Sequence, residues 1–276
     1  MAYEQDIQYL IEALLKEMPE YRPQAAGAPQ WAEGRRRLLR ALMNVRPPLP
    51  LSREFLEVQD RVLSREREAK GVVDVMELPV TAASPRLCLW QGDITRLNSG
   101  TIVNAANSAL LGCFVPCHGC IDNAIHSAAG LQLRDECFRL MQKQGHEEPA
   151  GRAKLTGAYN LPCRGVLHTV GPIVQGPLRQ DHCDELASCY RSCLALAAEK
   201  GIGSVAFCCI STGEFHFPNE EAAKIAVETV VDFLKDNNSI ERVIFNVFKD
   251  ADYEIYRALL GPDCEGGGNY ADKGRV

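Results

Sequence analysis

The sequence predicts a three-layer α/β/α domain preceded by a helical extension. Two observations carry this. From about residue 76, short β-branched runs alternate with segments of helical period, and several runs are apolar throughout, as strands covered on both faces should be. Before that point only the helical period is found. The bounds are therefore 1–75 for the helical N-terminal extension and 76–262 for the α/β domain. Residues 263–276 follow as a flexible C-terminal tail, because PDCEGGGNYADKGRV is Gly-rich and polar.

In IQYLIEALLKEM, residues Ile7, Leu10, Ile11, Leu14 and Leu15 fall on one helical stripe. WAEGRRRLLRALMNV repeats the stripe with Leu38, Leu39, Ala41 and Leu42, and stops at Pro47-Pro48-Leu49-Pro50. LSREFLEVQDRVLSREREAKG predicts a third helix with Phe55, Leu56, Val58 and Val62 inward and Ser52 as N-cap. Arg35-Arg36-Arg37 reads as the solvated face of its helix. Strands are expected at 86–90, 101–106, 165–170, 204–210 and 242–248. Helices are expected between them: IDNAIHSAAG with LQLRDECFRLMQKQ, DELASCYRSCLALAAEKG, NEEAAKIAVETVVDFLKD and DYEIYRALLG, with Gly201 and Gly261 as closing residues.

Composition narrows the function. The 276 residues are 46% hydrophobic and 24% charged, with a net charge of −6, so no basic face for nucleic acid or an anionic membrane is expected. The chain has no apolar run of about 18 residues, and MAYEQDIQYLIEALLKEMPEYR does not read as a signal peptide. Twelve cysteines raise the prospect of a disulfide framework. The chain length, the missing secretion signal and the apolar settings of Cys189, Cys193, Cys208 and Cys209 favour reduced thiols in a cytoplasmic protein.

Ligands of open α/β sheets bind outside the carboxyl ends of the strands. The segments found there are QGDIT (91–95), NAANSALLGCFVPCHGC (104–120), TVGP (169–172), ISTGEFHFP (210–218) and FKDADY (248–253). Ser211, Thr212 and Gly213 suit an anion nest, or Gly213 simply serves a strand–helix turn. GCFVPCHGC (112–120) packs three cysteines and a histidine into nine positions. It suits a redox switch, a structural metal knot or a catalytic metal site.

Taken in order, QGDIT, VNAANS, CIDNAIHSAAG, TGAYNLPCRGVLHTVGP and CYRSCLALAAEKGIGSVAFCCISTGEFHFP resemble the macrodomain, the ADP-ribose-binding fold, over residues 87–260 or so. The resemblance implies a three-layer α/β/α macrodomain with a mixed central sheet. It implies that Asp93 bonds the adenine amine beside Ile94, and that Asn104 and Asn107 lie near the distal ribose, Asn107 in direct contact. Ser211, Thr212, Gly213, Glu214 and Phe215 would wrap the diphosphate and distal ribose, and Phe248 would stack on adenine. The donors and acceptors agree: a carboxylate suits an amine, amides suit hydroxyls, an aromatic face suits a base.

Asp122, Ala124, Ile125 and His126 match the family's D-x-A-I-H helix start, but GCFVPCHGCI stands where ordinary hydrolytic macrodomains carry a glycine-rich stretch. With the helical extension, this resembles a narrower group, the zinc-dependent macrodomains encoded in microbes beside an ADP-ribosylating sirtuin. Their C-x4-H-x-C pattern maps onto Cys113, His118 and Cys120 as Zn2+ ligands. Two thiolates and one imidazole suit zinc and leave a fourth position open. Cys117 as a fourth ligand would close the site, and a metal-free redox pair is the third option.

The implied activity is hydrolytic removal of mono-ADP-ribose from modified protein side chains, with Asp or Glu as the linked residue. Asn107 would fix the ribose, Asp122 would orient substrate or act as base, and Glu214 would reach towards the metal-bound group. The implied partners are an ADP-ribosylated protein, ADP-ribose itself, and a sirtuin-type ADP-ribosyltransferase with its modified carrier protein. The rival is a non-catalytic ADP-ribose reader with a structural zinc. His126 reads as packed near the pocket, His216 as exposed, and His146 and His168 as structural. The N-terminal helices would stiffen the domain, cover a sheet edge or bind the target protein.

Overall fold

The apolar runs become one six-stranded sheet. In the computed structural model, which describes residues 2–29 and 31–262, the strands are β2 (Leu87–Gln91), β4 (Thr101–Ala105), β5 (Ala153–Gly157), β6 (Gly165–Thr169), β7 (Ser204–Phe207) and β8 (Arg242–Val247). The tail expected at 263–276 lies outside the described residues. The spatial order is β2-β8-β7-β4-β6-β5. All neighbours are parallel except β5 and β6, so the sheet is mixed. Two-residue strands β1 (Val73–Asp74) and β3 (Leu97–Asn98) pair separately.

Five strands lie where their largely apolar sequences put them. β5 is the addition: AKLTG has no apolar run, because it is a half-buried edge strand with one neighbour. Helices α5 (Ile121–Ala129) and α6 (Leu131–Gln144) form one layer, touching β4 and β5; α7 (Gln180–Glu199), α8 (Asn219–Asp236) and α9 (Asp250–Leu260) pack side by side in the other. Gly201 and Gly261 end their helices at φ 65° and 75°.

The N-terminal helices are α1 (Ala2–Glu17), the short α2 (Arg22–Ala26), α3 (Ala32–Val45) and α4 (Arg53–Lys70). α1, α3 and α4 bury Ile7, Leu10, Leu14, Leu39, Leu42, Phe55 and Val62 in a core of their own, which Leu131 joins from α6. Ser52 caps α4 by accepting from the Phe55 N–H at 3.1 Å. The module seats on α5 through α3 and α4. The arginine run is not wholly a solvated face: Arg36 turns inward to a bidentate pair with Glu66, which also accepts from Tyr3 Oη.

Arg134 joins the two cores. It is 3% exposed and donates to Met43 O, Arg46 O and Leu111 O at 2.9, 2.6 and 2.7 Å. Two of these are carbonyls at the end of α3, which lack helical partners; the third begins the cysteine-rich loop. No helix among the described residues is long and apolar enough to cross a membrane, and the eleven described cysteines are all free.

Candidate active site

The segments after β2, β4, β6, β7 and β8 open onto one cleft of about 1350 Å³, whose remaining wall is supplied by the start of α5 and by the N-terminal helices, mainly α3 and α4. At one end Asp93 caps the turn Ile94–Arg96. Its Oδ1 accepts from Thr95 N and Oγ1 at 3.0 and 2.6 Å, and Oδ2 faces Lys70 Nζ at 3.1 Å. Burial acts to raise this carboxyl, but Lys70 and the Thr95 donors outweigh it and hold the group below its ordinary value. Ile94 is buried beside it, and Phe248, which follows the neighbouring strand β8, lines the same cleft and is exposed.

The loop after β7 makes the floor. Ser211 sits at φ 65°, Phe217 N donates to Ser211 O, and Thr212 Oγ1 donates to Cys209 O at 3.1 Å. Among the described residues, none of the N–H groups of residues 211–215 is used in a hydrogen bond, so a run of donors is free for an anion. Gly171 passes behind: a Cβ there would stand 2.0 Å from Ser211 Oγ. Thr212, Gly213, Glu214 and Phe215 all line the cleft.

Further along, Asp122 lies in the first turn of α5, 5% exposed, accepting from Asn104 Nδ2 at 2.8 Å and Asn107 Nδ2 at 3.3 Å. Burial pushes its carboxyl up to about 6 against the Asn104 hydrogen bond and the Arg134 charge. Asn107 also donates to Gly112 O at 3.2 Å, tying the acid to the start of the cysteine-rich loop.

Asn104, expected beside a ribose, is instead fully buried. Its other amide hydrogen points at His168 Nδ1, 3.2 Å away. That fixes the proton on Nε2, which faces Thr156 Oγ1 at 2.9 Å. Burial holds His168 down to about 4, hence neutral. His168 therefore belongs to a chain of groups behind the acid, a role its isolated position in GVLHTV did not signal.

His126 is packed as expected, its Nε2 3.5 Å from Asp122 Oδ1. Gly112, at φ 79°, lies on its ring so closely that a Cβ would meet it at 2.8 Å. His216 is exposed.

Cys113, His118 and Cys120 bring one ligand atom each within 4.8 Å of one another. Cys113 Sγ is 3.7 Å from His118 Nδ1, and His118 Nε2 faces Glu214 Oε1 at 3.6 Å. Cys120 is the N-cap of α5, its Sγ accepting from Asn123 N at 3.4 Å. Burial pushes the Cys120 thiol up to about 12; Asn123 opposes this and neighbouring Cys113 adds to it. A coordinated cation would reverse that balance, since a coordinating thiol is deprotonated.

Cys117 is not part of the set. It sits at φ 51°, its thiol donates to Arg37 O at 3.4 Å, and its N–H donates to Asn44 Oδ1 at 2.9 Å, both on α3. The two thiols and one imidazole that remain fit zinc with an open position. A second group, His126, Cys137 and His168, is fully buried, and both ring nitrogens of His168 already face Asn104 and Thr156.

The mixed sheet, with a ligand-sized cleft and a free N–H run outside its strand ends, defines an open α/β domain of the ligand-binding kind. A model of the Macro domain family matches residues 103–226, and the chain belongs to that family. It is 51% identical over 254 residues to a "Protein-ADP-ribose hydrolase" of Treponema medium, covering 91% of this chain and 97% of that one. It is 48% identical over 230 residues to a protein of the same name from Staphylococcus aureus strain MSSA476, covering 83% and 85%. A Trypanosoma brucei macrodomain solved in complex with ADP-ribose superposes with a TM-score of 0.63 at 32% identity, covering 77% of this chain and 92% of that one. A Fusarium oxysporum "Probable bifunctional ADP-ribose hydrolase/ADP-ribosyltransferase" is 44% identical over 243 residues, 82% of this chain but 41% of that protein.

Proposed function

We propose that this chain is a zinc-dependent hydrolase that removes mono-ADP-ribose from Asp- or Glu-linked sites on proteins. The observation that carries it is convergence: the free N–H run, Asp122 and the Cys113–His118–Cys120 set line one cleft. The relatives named protein-ADP-ribose hydrolases support it. So does the cleft's size, because 1350 Å³ exceeds the roughly 300–1,000 Å³ of a usual small-molecule pocket and leaves room for an attached side chain.

In this reading Asp93 takes the adenine amine, with Lys70 yielding its place on the carboxylate. Phe248 covers the base, and residues 211–215 hold the diphosphate through their N–H groups. Asn107 fixes a distal ribose hydroxyl, while Asn104 and His168 hold Asp122 for proton transfer. Zinc bound by Cys113, His118 and Cys120 would supply Lewis acidity at the distal ribose or at a water. The Glu214 carboxylate, 3.6 Å from His118 Nε2, steers that imidazole by its charge rather than touching substrate. A cytoplasmic location and an ADP-ribosyltransferase supplying the modified carrier protein complete the proposal; the bifunctional Fusarium relative favours the latter.

The deciding experiment measures zinc content and ADP-ribose release from aspartate- and glutamate-linked protein substrates, before and after chelation. Stoichiometric zinc with release lost on chelation and restored by zinc is expected. Zinc-loaded protein that binds ADP-ribose and releases none would sink the hydrolase and leave a reader. For the floor of the cleft, Gly171→Ala is expected to weaken ADP-ribose binding at least tenfold by calorimetry, because the new methyl displaces Ser211. Unchanged affinity would remove the 211–215 loop from the binding site.

A further inference from the structure

We infer that helix α3 is a working part of the metal loop: Arg40, with Asn44, holds residues 112–120 in the shape that brings Cys113, His118 and Cys120 together. This rests on the zinc reading above for its purpose but not for its geometry. Residues 112–120 form neither helix nor strand, so a regular backbone ladder does not fix them. Within the loop, His118 N donates to Val115 O at 3.2 Å. Asn107 holds Gly112 at the start of the loop, and the other side-chain hydrogen bonds to it come from α5 and α3.

Asn123 on α5 is the hub. Its Nδ2 reaches Val115 O at 3.0 Å and Cys113 O at 3.5 Å, so its amide holds the arm of the loop that carries the first cysteine. An asparagine amide can turn over, and the wrong orientation would set an oxygen against those two carbonyls. Arg40 decides the matter. Its Nε and Nη2 stand 3.2 and 3.0 Å from Asn123 Oδ1, and a guanidinium only donates, so the oxygen must face α3 and the NH2 must face the loop. The same Nη2 reaches His118 O at 3.5 Å, on the arm that carries the imidazole. One half-buried cation therefore acts on both arms, through bonds about twice as strong as neutral ones.

Cys117 accounts for the rest. A non-glycine residue at φ 51° is uncommon and needs its surroundings to hold it. Here α3 does so at two points: Asn44 Oδ1 accepts the Cys117 N–H, and Arg37 O accepts its thiol. Asn44 is 2% exposed and is itself fixed by donating to Ser127 Oγ at 3.0 Å. The cysteine that the donor set leaves out is the peg that pins the loop to the N-terminal module.

The test has two arms on the full chain, with Arg40→Met as the variant that keeps the stem and removes the donors. In metal-free protein, alkylation of Cys113 and Cys120 by iodoacetamide, mapped by mass spectrometry, is expected to rise at least tenfold. In zinc-loaded protein, release of zinc to a chelator is expected to quicken by about 10- to 100-fold, the usual cost of losing an outer support of a metal ligand. Arg40→Lys, which keeps one charged donor, should recover part of both. Arg53→Met, at an exposed i,i+4 pair on α4, should change neither.

A folded Arg40→Met within twofold of the parent on both readouts overturns the proposal. Should that variant fail to fold, Cys117→Ala is read instead, with the same two rates expected to rise two- to fivefold and no rise overturning it. If the parent takes up no zinc but Arg40→Met still speeds alkylation, the zinc reading falls and the latch stands.

Discussion

His118→Ala should leave a folded protein without stoichiometric zinc, releasing ADP-ribose about a thousandfold more slowly or worse. The imidazole is one of three donors, and two thiols alone make a poor site. Lewis-acid stabilisation of a transition state contributes several kcal/mol, each 1.4 of them a factor of ten. The fold should survive, because His118 is a half-buried loop residue and its neighbour Glu214 is exposed. Metal analysis with single-turnover release checks this, and Cys117→Ala serves as comparison. Because Cys117 points to α3, that variant should keep its zinc and most of its activity. A zinc-free His118→Ala that retained the parent's rate would leave the chemistry to Asp122 and Asn107 alone.

Asp122→Asn should cost about a hundred- to ten-thousandfold in release, the usual worth of a positioned acid or base, and should also change how stability depends on pH. Burial raises this carboxyl from 3.8 to about 6 in the folded chain. A raised folded value means that the folded state holds its proton after the unfolded chain has lost it. Stability from this group is therefore full below about 4 and declines as pH climbs through 6, by about 3 kcal/mol in all. Urea midpoints of metal-free protein between pH 4 and 7 should show that decline in the parent and a flatter line in Asp122→Asn. Parallel lines would mean that Asp122 titrates as an ordinary carboxyl.

How much of this was legible in the sequence varies with the range of the interaction. The central strands announced themselves because both faces of SVAFCCI and RVIFNVF are covered, so nearly every position is apolar; AKLTG at the edge carried no such signal. The cleft's contents were legible because ligand-facing groups cluster just after strands. What lay behind them was not. Asn104, expected near the ribose beside Asn107, is a buried donor to Asp122, since neighbours on a strand point to opposite faces. Arg40 meets Asn123 and Asn44 meets Cys117 across 83 and 73 positions of chain, pairings that composition and period do not encode. Arg36 in the basic run is likewise committed to Glu66, 30 positions away.

The sheet order also bears on how the chain is made. β2 is an edge strand whose single neighbour is β8, and they pair from Leu87 with Val243 to Gln91 with Val247. About 150 residues must be translated after LCLWQ before its partner leaves the ribosome, which at 5–20 residues per second is some 8–30 seconds. Through that interval an apolar strand with unpaired backbone waits in the nascent chain, exposed to the wrong partners. The turn carrying Asp93 and Ile94 follows directly on β2, and Phe248 directly on β8. This end of the cleft is thus the last to be built during synthesis, and truncation before residue 242 should leave a chain that chaperones retain.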